Sequence, residues 1–284
     1  MNMMRHIKGW LLVSPLMLIL SFFLLIPVAV IVMVSFWGSS EYSYYPDFQF
    51  ENYQYLFSSK VTLAVYFKTV MFTLITWVFC LLIGFTIAYF LAFHVQSLTI
   101  QIALFLLCTI PFWTSNIIRM ISWIPFLGRN GIANTALQNW GWIDQPLEWL
   151  LFSEFAVILA FVLLFCLFMI VPIFNTMIRI DHSLIEAARD AGASGFQVLR
   201  HVVIPLSKPG IMIGSIFVVT LVMGDFITVR FMSGGQSASV GRMISNEIGL
   251  LQYPAASASA VVLLLTVLLM VGAMLRMVDI RREL

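Results

Sequence analysis

Charge is scarce in this chain. Only 10% of its 284 residues are Asp, Glu, Lys or Arg, the net charge is +2, and no basic run exists that could hold nucleic acid. Cysteine is scarce too: Cys80, Cys108 and Cys166 each lie inside an apolar run. They fit neither a disulfide framework nor metal-ligand spacing, and act as small apolar packing residues. The four histidines, His6, His94, His182 and His201, are scattered without metal spacing, so no metal site is expected. A G-x-x-x-x-G-K-[ST] loop is missing, so the chain cannot itself cradle ATP phosphates, and no catalytic residue is assigned to it. There is no internal repeat of about 20–50 residues and no low-complexity tract.

Apolar residues are what the chain has in abundance. They make up 61% of it, and mean hydropathy is +1.00. Soluble domains are roughly 45–50% apolar and about 25% charged, so this composition belongs in a bilayer. Six apolar segments stand out: Trp10–Trp37, Val61–Phe93, Thr99–Ile118, Phe155–Thr176, Pro209–Phe231 and Pro254–Met277. They run on without period-two alternation, which favours helices over barrel strands as the spanning form. Pro15, Pro27, Pro111 and Pro172 are expected to kink four of them. The first run follows Arg5 and Lys8 and would reach roughly 40 Å as a helix. A signal h-region is only about 7–15 residues, so this segment is expected to stay as an uncleaved anchor.

The expected fold is an all-α membrane protein of six transmembrane helices. Residues 1–9 form a cytoplasmic tail, 10–277 the membrane domain, and 278–284 a second tail. Lys and Arg divide nine to six in favour of the side holding both termini, helped by the basic end "RMVDIRREL", which places both termini in the cytoplasm. The opposite side carries two aromatic loops, Ser39–Phe57 and Gly128–Glu154. Their Trp and Tyr residues suit either an interfacial belt or the docking of an extracytoplasmic partner.

Between the fourth and fifth segments the chain becomes polar. In "SLIEAARDAGASGFQVLRHVVIPL", Ser183 and Glu186 have the spacing of an S-x-x-E capping box. Ala187, Ala188 and Arg189 are strong helix formers, and Gly192 can end the helix in the left-handed conformation. Ser194 can cap a second helix to about Val203, where Pro205 stops it, leaving Pro209 for the first turn of the next span. The first helix is about two turns long and marginal alone in water, so it must dock. Leu184, Ile185, Ala188, Phe196, Leu199 and Val203 offer an apolar face for that. A plain connector is commonly about 4–6 residues. The region from about 177 to 208 is far longer, and reads as a cytoplasmic helix-turn-helix that engages a partner.

Glu186-Ala187-Ala188, then Gly192, then Val202, Ile204 and Pro205 resemble the loop through which ABC importer permeases couple to their ATPase. Val202 and Ile204 stand where the family more usually has Ile and Leu. "PFWTSNIIRM", "NGIANTALQNWGWIDQPLEWL", "MIRIDHSLIEAARDAGA" and "GDFITVRFMSGGQSASVGRMISNEI" are similar to permeases of spermidine/putrescine importers. The similarity is densest from Pro111 to Ile248; earlier residues match mainly in layout, apart from "FENYQYLF". Related permeases for opines, quaternary amines and amino acid-like solutes share much of the pattern.

The resemblance implies one permease half in a bacterial inner membrane, paired with a second, different permease. Two cytoplasmic ATPases would bind ATP and magnesium, and a periplasmic binding protein would deliver solute. The coupling element would comprise Ser183, Glu186, Ala187, Ala188, Gly192 and Pro205, with Glu186 serving as helix cap, ATPase contact, or both. Two groups are candidates for the solute pathway. Asp225, far along the fifth segment, can attract a polyammonium solute or pair with Arg230. Trp113 can offer a π face to an ammonium, with Thr114, Asn116 and Arg119 beside it, or these residues can simply pack helices together. An ion-coupled secondary carrier is the reading from another class, but it would usually show inverted repeats and leaves the polar cassette unexplained.

Overall fold

The computed structural model describes residues 13–40 and 43–276, so both expected tails lie outside the described residues. Among the described residues, five helices are long and apolar enough to cross a membrane. They are α1 (Val13–Val34), α3 (Lys60–Phe93), α7 (Glu154–Met177), α9 (Gly195–Gly224) and α12 (Tyr253–Arg276). Shorter helices lie between them: α2 (Glu51–Ser58), α4 (Leu98–Thr109), α5 (Asn116–Leu127), α6 (Ile132–Asn139), α8 (His182–Asp190), α10 (Ile227–Met232) and α11 (Val240–Gly249).

The third expected span is the main departure. Thr99–Ile118 is not one helix but α4 and α5, each of 12 residues, separated by a 3-10 turn at Ile110–Trp113 and an extended Ser115. Proline at 111 has no amide to continue the ladder. The fifth span is also misplaced. Pro205 does not stop a helix and Pro209 does not begin one; α9 runs unbroken from the cassette to Gly224. A π turn at Leu199–Val203 directly precedes the Ile204-Pro205 pair, and another at Ser21–Leu25 precedes Ile26-Pro27. Widening the turn ahead of a proline relieves the clash with the preceding carbonyls, so the helix continues. Pro172 likewise sits inside an unbroken α7.

The chain forms two compact units. One takes in the described residues up to Leu63 together with Met243–Leu265. Here a two-stranded ribbon, β1 (Gly38–Ser39) and β2 (Tyr44–Tyr45), is antiparallel with Gly38 opposite Tyr45. Asn52 Nδ2 donates to the carbonyls of Ser35 and Trp37 at 3.0 and 2.9 Å, and the Ser35 and Tyr53 hydroxyls lie 2.7 Å apart. Phe36 packs against Phe48, Phe50 and Tyr53, while Tyr44 bridges Trp37 and Tyr253.

The other unit is Ala64–Arg242 with the described residues from Thr266, and α7 is its centre. Met169, Ile173 and Met177 are fully buried there. α9 lies along α7 with Gly210 and Gly214 at the contact, the small-x-x-x-small spacing that lets membrane helices approach closely. A methyl group on Gly210 would collide with Thr176 Oγ1 and the Pro172 carbonyl, and one on Gly214 would meet Met169 Sδ at 2.8 Å. Met169 also faces Gly84 of α3, so three helices share one tight layer. Long-range hydrogen bonds tie α3 in, among them Trp77 Nε1 donating to Ser215 Oγ at 2.8 Å and the Val240 amide donating to Thr69 Oγ1 at 2.9 Å. Overpacking a filled contact typically costs about 1–3 kcal/mol. Gly210→Leu should therefore lower the thermal midpoint of the purified protein more than Gly272→Leu, because a Cβ at Gly272 meets nothing within 4 Å. Equal shifts in a thermal-stability assay would show that the α7–α9 contact has room to spare.

Candidate functional site

Two regions hold the residues singled out in the sequence. The first is the cassette, α8 with the start of α9. Its first cap differs from expectation: Asp181, not Ser183, is the N-cap, and its Oδ1 accepts the Ser183 amide at 2.9 Å. Ser183 falls inside the helix, so the Ser183–Glu186 capping box does not form. Asp181 is extended at φ −65° and ψ 124° and can therefore face the open helix end. The second cap is as expected: Ser194 Oγ accepts the Gln197 amide at 3.4 Å and Gln197 Oε1 accepts the Ser194 amide at 2.7 Å. Gly192 adopts φ +86°, its amide donating to Arg189 and that of Ala193 to Ala188, the two bonds of a Schellman end.

The cassette's apolar residues divide between two faces. Ile185, Val198 and Val203 are buried against the chain's own core, with Ala188 and Leu199 packed beside them. Leu184 and Phe196 stay exposed, Phe196 at 68%. Ser183, Glu186 and Ala187 are exposed too, and Glu186 makes no side-chain hydrogen bond or ion pair among the described residues. The buried side chains thus anchor the cassette to the spans, while Leu184, Glu186 and Phe196 are left exposed. Pro205 belongs to the body of α9.

The second region is a pair of helix breaks. At the α4–α5 break, Arg119 Nη2 donates to the Thr114 carbonyl at 3.1 Å and to Asn116 Oδ1 at 2.9 Å. Its guanidinium lies 5.9 Å from the Phe112 ring centroid, while Trp113 is 86% exposed. The Nε and Nη1 atoms of Arg119 are buried without an acceptor among the described residues. At the α9–α10 break, Asp225 is the C-cap of α9 and is extended, not helical. Its Oδ1 accepts the Thr228 amide at 2.8 Å, and Ser239 Oγ donates to its carbonyl at 3.3 Å. Among the described residues Asp225 makes no ion pair with Arg230, which is exposed. The carboxylate is held instead as a cap for α10. A Gly-Asp pair three residues before Thr228 is the sequence signal for this break. α10 packs against α5, so the elements carrying the two groups are neighbours.

Residues 100–282 match the family described as the binding-protein-dependent transport system inner membrane component. The chain belongs to this family. It is 36% identical over 231 residues to the spermidine/putrescine transport system permease protein PotB of Haemophilus influenzae, covering 80% of this chain and 79% of that one. Against PotB of Escherichia coli it is 31% identical over 274 residues, 94% of each chain. It also aligns over 110 residues with the Escherichia coli permease PotC at 33% identity, covering 38% of this chain and 42% of that one. A solved bacterial alginate ABC transporter, in complex with an alginate pentasaccharide-bound periplasmic protein, has the same fold: TM-score 0.74 and 16% identity over 96% of this chain and 94% of its own. The protein is therefore a multi-pass ABC importer permease.

Asp181 lies outside the spans, and the Ser183 amide holds its carboxyl below the ordinary carboxylate range. Its capping contribution is fully present above the ordinary carboxylate pKa and is lost only as pH falls through the lowered value. Asp181→Ala should accelerate amide exchange across residues 182–190 in the purified transporter at neutral pH, while Ser183→Ala leaves it nearly unchanged. The reverse ranking would restore Ser183 as the cap.

Proposed function

We propose that this chain is one of two permease halves of an ATP-driven importer that carries spermidine or putrescine across the bacterial inner membrane. The observation that carries the reading is the cassette: a doubly capped helix-turn-helix anchored on one face and open on the other. The substrate class is supported by the PotB relatives, alike over most of the chain.

The chain crosses six times, the third crossing made of α4 and α5 in series, with both termini cytoplasmic. Two cytoplasmic ATPase subunits bind ATP and magnesium and receive Leu184, Glu186 and Phe196. A periplasmic binding protein delivers solute, and the chain itself needs no cofactor. The second permease is a different chain, supported by the partial likeness to PotC and by α1, whose apolar window buries nothing inside this protein. α9 spans about 45 Å as one continuous helix. Motion of the cassette is therefore passed along α9 to the break at Asp225, where the pathway opens and closes.

Arg119 favours a second reading. A cation with idle N–H groups at a break in the third crossing suits a solute bearing a carboxylate, such as an opine or amino acid-like molecule. Uptake of labelled spermidine by cells making the whole transporter, with carboxylate-bearing and quaternary-amine competitors, separates the two. Competition by putrescine alone supports the polyamine reading; loss of spermidine uptake with retained ATP hydrolysis supports the other.

Glu186→Ala should reduce uptake far more than it reduces the amount of transporter in the membrane. Parallel losses on quantitative blots would confine Glu186 to folding. Asp225→Asn should raise the KM for spermidine about tenfold, as expected when an ammonium loses a partner worth roughly 1.4 kcal/mol. Trp113→Ala tests the ring in the same way, and an unchanged KM in either variant removes that residue from the solute path.

A further inference from the structure

We propose that the groove between α3, α9 and α12 binds an anionic phospholipid, with an acyl chain along the groove and the phosphate on Lys208. The groove encloses about 560 Å³ and is lined by Trp77, Leu81 and Phe85 of α3, Ile211 and Met212 of α9, and Met274 of α12. Two hydroxyl side chains also reach it, and both are already engaged: Ser215 accepts Trp77 Nε1, and Thr86 donates to the Leu82 carbonyl. The wall offers a hydrated solute or a water column little to bind, whereas it suits a hydrocarbon chain.

Among the described residues Lys208 is the single charged group of the lining. It is exposed, and among the described residues it has no carboxylate partner; the ion pairs there are Lys68–Glu154 and Arg129–Glu148. Lys208 precedes Gly224, the outer end of α9, by about 24 Å of helix. The hydrocarbon core is about 30 Å thick, so a lysine at that depth extends its ammonium to the opposite headgroup layer. Arg276, exposed at the end of α12, follows the lining residue Met274 by one turn or less. Basic groups at the cytoplasmic mouth of an apolar cleft are the combination that selects anionic over zwitterionic headgroups. An apolar helix of a partner would fill the cleft but leave Lys208 unpaired, and for that reason lipid is the better occupant.

The proposal uses the orientation given above only to choose the leaflet, so its test does not depend on transport. The intact transporter is purified in mild detergent and its retained phospholipid is identified by native mass spectrometry. The wild type should retain phosphatidylglycerol in preference to phosphatidylethanolamine. Lys208→Ala should lower the retained phosphatidylglycerol about fivefold, the effect of one basic contact at the membrane surface. Lys208→Arg should keep it, and Met212→Trp, which fills the groove, should lose both lipids. Equal phosphatidylglycerol in the wild type, Lys208→Ala and Met212→Trp would overturn the site. A photoreactive residue at Ile211 gives an independent reading: a lipid adduct supports the proposal, and a cross-link to the second permease refutes it. Retained lipid without spermidine uptake would count against the polyamine reading and leave the lipid site standing.

Discussion

With no side chain at Gly210 or Gly214, the backbones of α7 and α9 touch, and little else in the larger unit could be arranged as it is without that contact. The approach places Met169 between α9 and Gly84 of α3, so one side chain fills the layer shared by three helices. Lipid tails are as apolar as leucine, so helices in a bilayer gain little from merely burying apolar area against one another. Close packing and a few hydrogen bonds must supply the association. Trp77 to Ser215 and Val240 to Thr69 are bonds of that kind, and both end on α3.

Once α9 is fixed against α7, its two ends acquire different tasks. One end is continuous with the cassette because the π turn at Leu199–Val203 accommodates Pro205 without breaking the rod. The other end stops at Gly224, where Asp225 turns the chain and caps α10. Push at one end and rearrangement at the other can thus be linked by a single rigid element. A second break stands on the neighbouring α4–α5 segment, with Arg119 donating to the Thr114 carbonyl and to the side-chain oxygen of Asn116. Irregular backbone at membrane depth is tolerated only where protein or water covers it, so both breaks call for such cover.

The cassette shows how a marginal helix is made usable. α8 has nine residues, too few to be stable alone, yet it is fixed by a cap at each end and by Ile185 buried beneath it. That burial leaves Leu184, Glu186 and Phe196 pointing away. The docking role proposed for the cassette would use both properties: firm attachment to the spans, and an outer face left free for a partner.

Much of this was legible from the amino-acid order. The bilayer environment, four of the long spans to within a few residues, the left-handed Gly192 and the Ser194 cap all follow from local rules of hydropathy, φ preference and side-chain reach. The remainder depended on neighbours distant in sequence. Asp181 rather than Ser183 caps α8. Prolines 111 and 205 look alike as breakers, yet one ends a helix and the other rides through it. A lone proline costs only a few kcal/mol, and a π turn with packing on both sides can offset that. Asp225 read as a charge inside a span until the break placed it at a helix end. Local chemistry therefore determined which residues could span, cap or turn; the tertiary structure decided which of those options each residue took, because alternatives so close in local energy are separated only by their surroundings.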